Sequence, residues 1–177
     1  MTWLLPKFHP QKSRYTSIVI NSDVVQELCA RVNKLEAVDS ARKVVMEYAH
    51  AVDSGDESRL EQVYTPDAEL IRLGVMDDGA KHGWPQIRDA LARATGFAPN
   101  QGRHVIGTTM CIAASPDEIT FLSNFIAFKE SDGRMLVFWG DYEDTVRNYD
   151  GRWRIARKLT TSKHRLSFPM PNATVDY

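Results

Sequence analysis

Apolar residues recur at helical spacing over the first third of the chain and at two-residue spacing over its second half. From Ser22, a residue type suited to a helix N-cap, Val24, Val25, Leu28, Val32 and Leu35 repeat every three to four positions and predict a first helix over 22–36. A second helix is predicted from Asp39-Ser40. Its inner rows are Ala41, Val45, Tyr48 and Val52 beside Met46, Ala49 and Asp53. Gly55 reads as its stop, and Asp56 as the cap of a short third helix carrying Leu60, Val63 and Tyr64. Thr65-Pro66-Asp67 then breaks the pattern before a strand over 68–74 and a shorter one around 80–82. Pro85 sits in the first turn of a further helix, with Ile87, Leu91 and Ala94 on one face and Gly96 after it.

The remainder is β in character. Segments 103–112, 119–129, 135–146 and 153–161 are rich in branched and aromatic residues. They are separated by Ser115-Pro116-Asp117, Asp132-Gly133 and Asp150-Gly151, the last two being hairpin signals. Helices followed by a four-strand antiparallel meander is the α+β order. Gly140, inside the third long strand, reads as a bulge or kink. A bent antiparallel sheet wrapped around the N-terminal helices makes a cone with an open mouth. Residues 1–21 read as an arm, 22–162 as a single domain and 163–177 as a C-terminal tail.

Size and charge narrow the class. A chain of 177 residues supports one domain with a real core. Its 22 Lys and Arg against 23 Asp and Glu leave a net charge of −1. There is no basic excess for a nucleic-acid or anionic-membrane surface. No apolar run approaches the roughly 20 residues that span a bilayer. Cys29 and Cys111 form no CxxC pair and fit a reducing, cytoplasmic setting. No two glycines stand at GxG spacing, and GxSxG and HExxH are missing. His9, His50, His82, His104 and His164 are scattered without metal-type spacing, so neither a metal nor an organic cofactor is expected.

Two positions carry candidate chemistry. Asp53 lies in the last turn of its predicted helix, on the stripe that should face the core, where a carboxylate opposes the helix dipole by ~0.3–1 kcal/mol. A solvated loop acid is the competing reading. His104 opens a strand in which His104, Ile106, Thr108, Met110 and Ile112 alternate onto one face, so its ring is expected inside the cone. A lone inward histidine is more often a satisfied core residue than a catalytic one. The pair is more informative, because an imidazole needs a carboxylate or carbonyl to fix its tautomer and stabilise its charged form. Tyr48 adds a phenol near the same cavity, and Trp84, Phe125, Phe128, Trp139 and Tyr142 are candidates to line it. Each of these is equally a packing residue.

Residues from about 34 to 162 resemble the SnoaL-like branch of the nuclear transport factor 2-like superfamily. The resemblance rests on Tyr48-Ala-His-Ala-Val-Asp53-Ser-Gly-Asp56, Tyr64-Thr-Pro-Asp67-Ala and Gly102-Arg-His104-Val-Ile, then Gly140-Asp-Tyr142-Glu-Asp and Asp150-Gly-Arg-Trp153-Arg-Ile155. Scytalone dehydratase, bile-acid 7α-dehydratase, hexachlorocyclohexane dehydrochlorinase and polyketide cyclases are members. The resemblance implies a cofactor-free α+β cone whose pocket often holds an Asp–His dyad. Asp53 matches the dyad aspartate, His104 the histidine acting as base, and Tyr48 a site tyrosine of the bile-acid enzyme. Relatives place a histidine or an aspartate on the next strand. This chain has only Asn124 and Lys129 there as polar candidates.

The expected activity is therefore that of a lyase or isomerase, dehydratase-like, abstracting a proton from a small, largely apolar and cyclic substrate. Two rivals stand beside it: a non-catalytic binding or assembly module, and a structural subunit like the β subunit of ring-hydroxylating dioxygenases. Both registers of 119–128 and 135–142 are hydrophobic, Phe121 and Phe125 opposing Leu122 and Ile126. The outer sheet face therefore needs a cover, and a homo-oligomer is expected, a trimer or else a dimer.

Overall fold

Nothing between Leu35 and Ala41 can stop a helix: there is no glycine and no proline. In the computed structural model of the protein, which describes residues 22–99 and 102–170, the two helices expected over 22–54 are accordingly one, α1 (Ser22–Ser54). Asp39, expected to cap the second helix, lies mid-helix and pairs with Lys43 four residues on, 2.7 Å away. The first half of α1 buries nothing: Val24, Val25, Leu28, Val32 and Leu35 stay exposed. Burial starts at Ala41 and continues through Val45, Tyr48, Ala49 and Val52. The expected arm over 1–21 and the end of the expected tail, 171–177, lie outside the described residues.

Gly55 ends α1 at φ +67, and a methyl group there would sit 2.3 Å from the Phe97 carbonyl oxygen. Only glycine suits that left-handed, closely approached position. Asp56 then caps α2 (Glu57–Val63) by accepting the Arg59 backbone N–H at 3.0 Å. The chain continues through β1 (Tyr64–Gly74), β2 (Lys81–His82) and α3 (Gly83–Thr95), which stops at Gly96 in the left-handed region. Four long strands follow: β3 (Gly102–Ala114), β4 (Glu118–Ser131), β5 (Arg134–Tyr149) and β6 (Arg152–Pro169).

These strands form one sheet of six in the order β2-β1-β6-β5-β4-β3. The expected antiparallel meander is present, but the sheet is mixed, because β1 runs parallel to β6. The connection from β1 to β6 passes through a helix and the whole meander, which leaves either strand direction open. β6 also passes the expected domain end at 162 by seven residues. Its polar run Lys163-His164-Arg165 looks like a terminus, yet it pairs with the far half of β5, Val137 opposite Leu166 and Met135 opposite Phe168. That ladder satisfies backbone groups that β5 would otherwise present along an open edge.

The core lies between α1, α2 and α3 and the concave sheet face: Val45, Leu60, Tyr64, Leu70, Ile87, Leu91, Phe121, Val146 and Ile155 are all essentially inaccessible. Alternation along β3 holds only as far as Ile106. A register shift between Ile106 and Thr109 turns Thr109 inward, and Met110 and Ile112, expected inside, are half exposed. Gly140 marks a second shift, between β5 and β6, where any side chain would overlap the Thr161 carbonyl.

Candidate active site

The last turn of α1 lies against the start of β3, and there Asp53 meets His104. One carboxylate oxygen of Asp53 is 2.6 Å from His104 Nδ1, and the other accepts the backbone N–H of His104 at 2.9 Å. The two side chains are 13% and 18% exposed. A carboxylate only accepts, so Nδ1 carries a proton, and in the neutral ring Nε2 is the nitrogen with the free lone pair. The backbone contact fixes the carboxylate, and the carboxylate fixes the ring. The sharp end of α1 at Gly55 sets where Asp53 stands.

Both residues line a cavity of about 390 Å³, within the usual range for small-molecule sites. Tyr48, Phe125, Phe128 and Tyr142 line it too. The Tyr48 ring is 6.4 Å from that of His104 and 6.3 Å from that of Tyr142, edge-on to both. Phe125 stacks flat on Tyr142 at 4.2 Å. Burial, opposed by the nearby Arg72 guanidinium, pushes the Tyr48 phenol up to about 12. Tyr48 is therefore a hydrogen-bond donor at neutral pH.

Three residues expected at the cavity lie elsewhere. Trp84 stacks on Tyr64 on the core side of α3, ring centres 6.1 Å apart. Asn124 and Trp139 have the opposite strand parity to Phe125 and Gly140, so they face outward. Asn124 donates to Asp141 at 2.9 Å, and Trp139 stacks on His164 at 4.9 Å. Lys129, the other polar candidate of its strand, does reach the cavity.

Sequence reasoning also passed over three charged residues. Arg72 shares the parity of Ala68 and Leu70 on β1; it is 8% exposed, lines the cavity, and donates to Asp78 at 3.1 Å. Asp144 shares the parity of Tyr142 and Val146, and Lys158 that of Thr160; both are fully buried. Lys158 Nζ is 2.9 and 3.2 Å from the Asp144 oxygens, and 3.6 and 4.1 Å from the ring centres of Tyr142 and Tyr48. Burial raises Asp144 and lowers Lys158, while each partner's charge opposes the change in the other. The parity of each was readable, but a charge at an inward position reads as a strand edge until its partner is seen.

Among the described residues, no group of three or more His, Cys, Asp and Glu gathers as a metal site. No helix there is long and apolar enough to cross a membrane. The chain is 29% identical over 128 residues to an uncharacterized protein of Mycobacterium tuberculosis, a match covering 68% of this chain and 81% of that one. Its fold is similar to hexachlorocyclohexane dehydrochlorinase LinA-type3 of Novosphingobium barchaimii, at TM-score 0.69 and 14% identity over 83% of this chain and 97% of that one. It is similar also to a candidate scytalone dehydratase of Novosphingobium aromaticivorans, at TM-score 0.67 and 16% identity over 82% and 99%. These likenesses establish the shared α+β fold. The SnoaL-like domain profile matches residues 33–158, which span the last two thirds of α1, the Asp53–His104 dyad and the sheet as far as the first seven residues of β6, and the chain belongs to that family.

Proposed function

We propose that the cavity is the active site of a cofactor-free lyase or isomerase in which His104 is the general base. One observation carries the reading: Asp53 holds both the ring N–H and the backbone N–H of His104, which leaves Nε2 as the basic atom at the cavity. An imidazole fixed in that tautomer is suited to taking a proton from carbon next to a carbonyl. The C–H electron pair then moves toward the carbonyl oxygen, making an enolate. Tyr48, as a neutral phenol, and Arg72, as a buried cation on the same wall, would stabilise that oxygen. From the enolate the electron pair can form a double bond and expel a halide ion from the adjacent carbon, or a hydroxyl that takes the proton back from His104 and leaves as water. Alternatively, His104 can return the proton at another carbon. The first outcome is elimination and the second a double-bond shift. The dehydrochlorinase and dehydratase named among the structural neighbours support this class.

The substrate we propose is small, cyclic and largely apolar, matching walls of Val52, Phe125, Ala127 and Phe138. We further propose a homo-oligomer, a trimer first, built on the outer sheet face. Val105 and Ile126, paired across β3 and β4, remain 54% and 43% exposed there. Cys29 and Cys111, both free and exposed, support a cytoplasmic setting.

The test is proton exchange. Cyclic ketones, enones and β-hydroxy ketones are incubated with the protein in deuterated buffer, and loss of the α-proton signal is followed by NMR. Exchange should occur with the wild type and fall by roughly 10²–10⁴-fold in His104→Ala. Exchange that survives this substitution sinks the assignment of the base, and its absence across the panel returns the chain to the binding-module reading.

A further inference from the structure

A bulge in β6 sends Arg165 into the cavity. Trp139 pairs with His164, but Gly140 pairs with Ser162, so Lys163 is an extra residue that reverses the alternation beyond it. His164 therefore lies on the outer face, stacked on Trp139. Arg165 comes to the inner face opposite Phe138, its guanidinium carbon 6.0 Å from that ring centre. There it joins Arg93, in the last turn of α3, and Lys129 of β4 on the same cavity wall. Lys129 Nζ is held by the Ala94 carbonyl at 2.5 Å, one residue along from Arg93. Arg93 and Arg165 are exposed while lining the cavity, which places the group at its rim.

The cavity has two carboxylates of its own, and both are engaged. Asp53 holds His104, and Asp78 holds Arg72 and lies 3.7 Å from Lys81. Among the described residues, none of Arg93, Lys129 and Arg165 has an ion-pair partner. Three cations without carboxylate partners lining one largely apolar cavity steer anions toward it.

We infer that the cavity takes an amphipathic anion, an apolar ring-bearing carboxylic acid. Its body lies against Phe125 and Phe138, and its carboxylate is received at the rim by Arg93, Lys129 and Arg165. Guanidinium groups suit this role, since their fork of N–H donors matches a carboxylate. The inference rests on the cavity being a substrate site, and it changes the expected substrate from a neutral apolar molecule to a charged one. The carboxylate is held away from the dyad, so the ring is presented to His104 in one orientation.

Matched pairs test it: the carboxylates of cyclohexene, indane and naphthalene against their neutral carboxamides, titrated calorimetrically. The proteins are the wild type, Arg93→Gln/Lys129→Gln/Arg165→Gln, and Asp53→Asn/His104→Gln. The wild type should prefer at least one acid over its amide by on the order of tenfold or more, and added salt should weaken that preference. The triple variant should lose the preference, and the dyad variant should keep it. Should the triple variant unfold, Arg165→Gln alone, at an exposed position, should still reduce the preference. A panel in which no acid outbinds its amide overturns the inference, as does a preference that survives removal of the rim cations. The two readings separate cleanly. Equal binding of acid and amide with proton exchange intact removes only the anion preference. An intact preference in a protein that exchanges no protons removes only the catalytic reading.

Discussion

Lys158 and Asp144 face each other with no solvent contact, the ammonium 2.9 and 3.2 Å from the two carboxylate oxygens and roofed by the rings of Tyr142 and Tyr48. The pair lies directly beneath the aromatic floor of the cavity. Removing one partner leaves a buried charge without compensation, which typically costs about 3–5 kcal/mol. Lys158→Met and Asp144→Leu should each lose stability on that scale in denaturant unfolding. The double variant should recover most of the loss, because the apolar replacement carries no desolvation penalty. Additive losses in the double variant would show that the pair is not coupled.

Alkali should unfold the protein through its buried phenols. Tyr48 ionises at 10.0 when unfolded and at about 12 in the fold, with burial the main cause. The folded state thus keeps a proton that the unfolded chain releases. The resulting stability is complete below pH 10.0 and is lost as pH rises toward 12, about 3 kcal/mol for a two-unit shift. Burial raises Tyr64 and Tyr142 in the same direction. Phenolate absorbance should therefore appear together with loss of circular dichroism, in one cooperative step. Ionisation of all three at ordinary tyrosine values in a still folded protein would contradict this.

What could be read from the sequence follows from which signals are local. Caps, turns and alternation placed α2, α3, β3, β4, β5 and the start of β6 to within a few residues, because Asp56, Gly96, Asp132-Gly133 and Asp150-Gly151 act on their immediate neighbours, while the end of β6 at Pro169 lies eight residues past the expected 161. Parity on unbroken strands distinguishes Phe125 from Asn124 and Gly140 from Trp139, but Asn124 and Trp139, expected at the cavity beside Phe125 against that parity, are both turned outward in the structure. Bulges defeat this reasoning. The shift after Ile106 exposes Met110 and Ile112, and the extra Lys163 exchanges His164 for Arg165 at the cavity. Nothing local announces either one. The parallel pairing of β1 with β6 and the burial of Lys158 depend on partners some 90 and 14 positions away, and no local pattern announces them.

Gly55 should tolerate no side chain. Gly55→Ala demands a left-handed alanine and puts its methyl 2.3 Å from the Phe97 carbonyl oxygen, a backbone atom that cannot step aside alone. Strain of this kind costs about 1–3 kcal/mol, and the clash adds to it. Because the residue sits two positions after Asp53, the shift should also loosen the dyad. Melting temperature and proton exchange should both fall, with exchange falling further than lost stability explains. Gly133→Ala, at φ +68 with nothing within 4 Å of the added methyl, provides the control for the left-handed strain alone and should leave exchange unchanged.

Asp53→Asn tests the double grip on His104. An asparagine side chain has one accepting oxygen, whereas the aspartate accepts both the ring N–H and the backbone N–H. If the asparagine oxygen serves the backbone, its amide group faces Nδ1 and donates to it. The ring then carries its proton on Nε2, and the base is lost from the cavity. If the oxygen serves the ring, a donor faces the backbone N–H and the contact that fixes the side chain is lost. Either way exchange should fall by roughly 10²–10⁴-fold, the range for a missing general base. His104→Ala should fall as far, and the double variant little further, since residues that act as a unit are not additive. The melting temperature of His104→Ala should hold or rise, because polar groups kept for chemistry are commonly held at some cost to stability. Fold losses that multiply in the double variant would mean that Asp53 and His104 act independently, and the dyad mechanism would have to be abandoned.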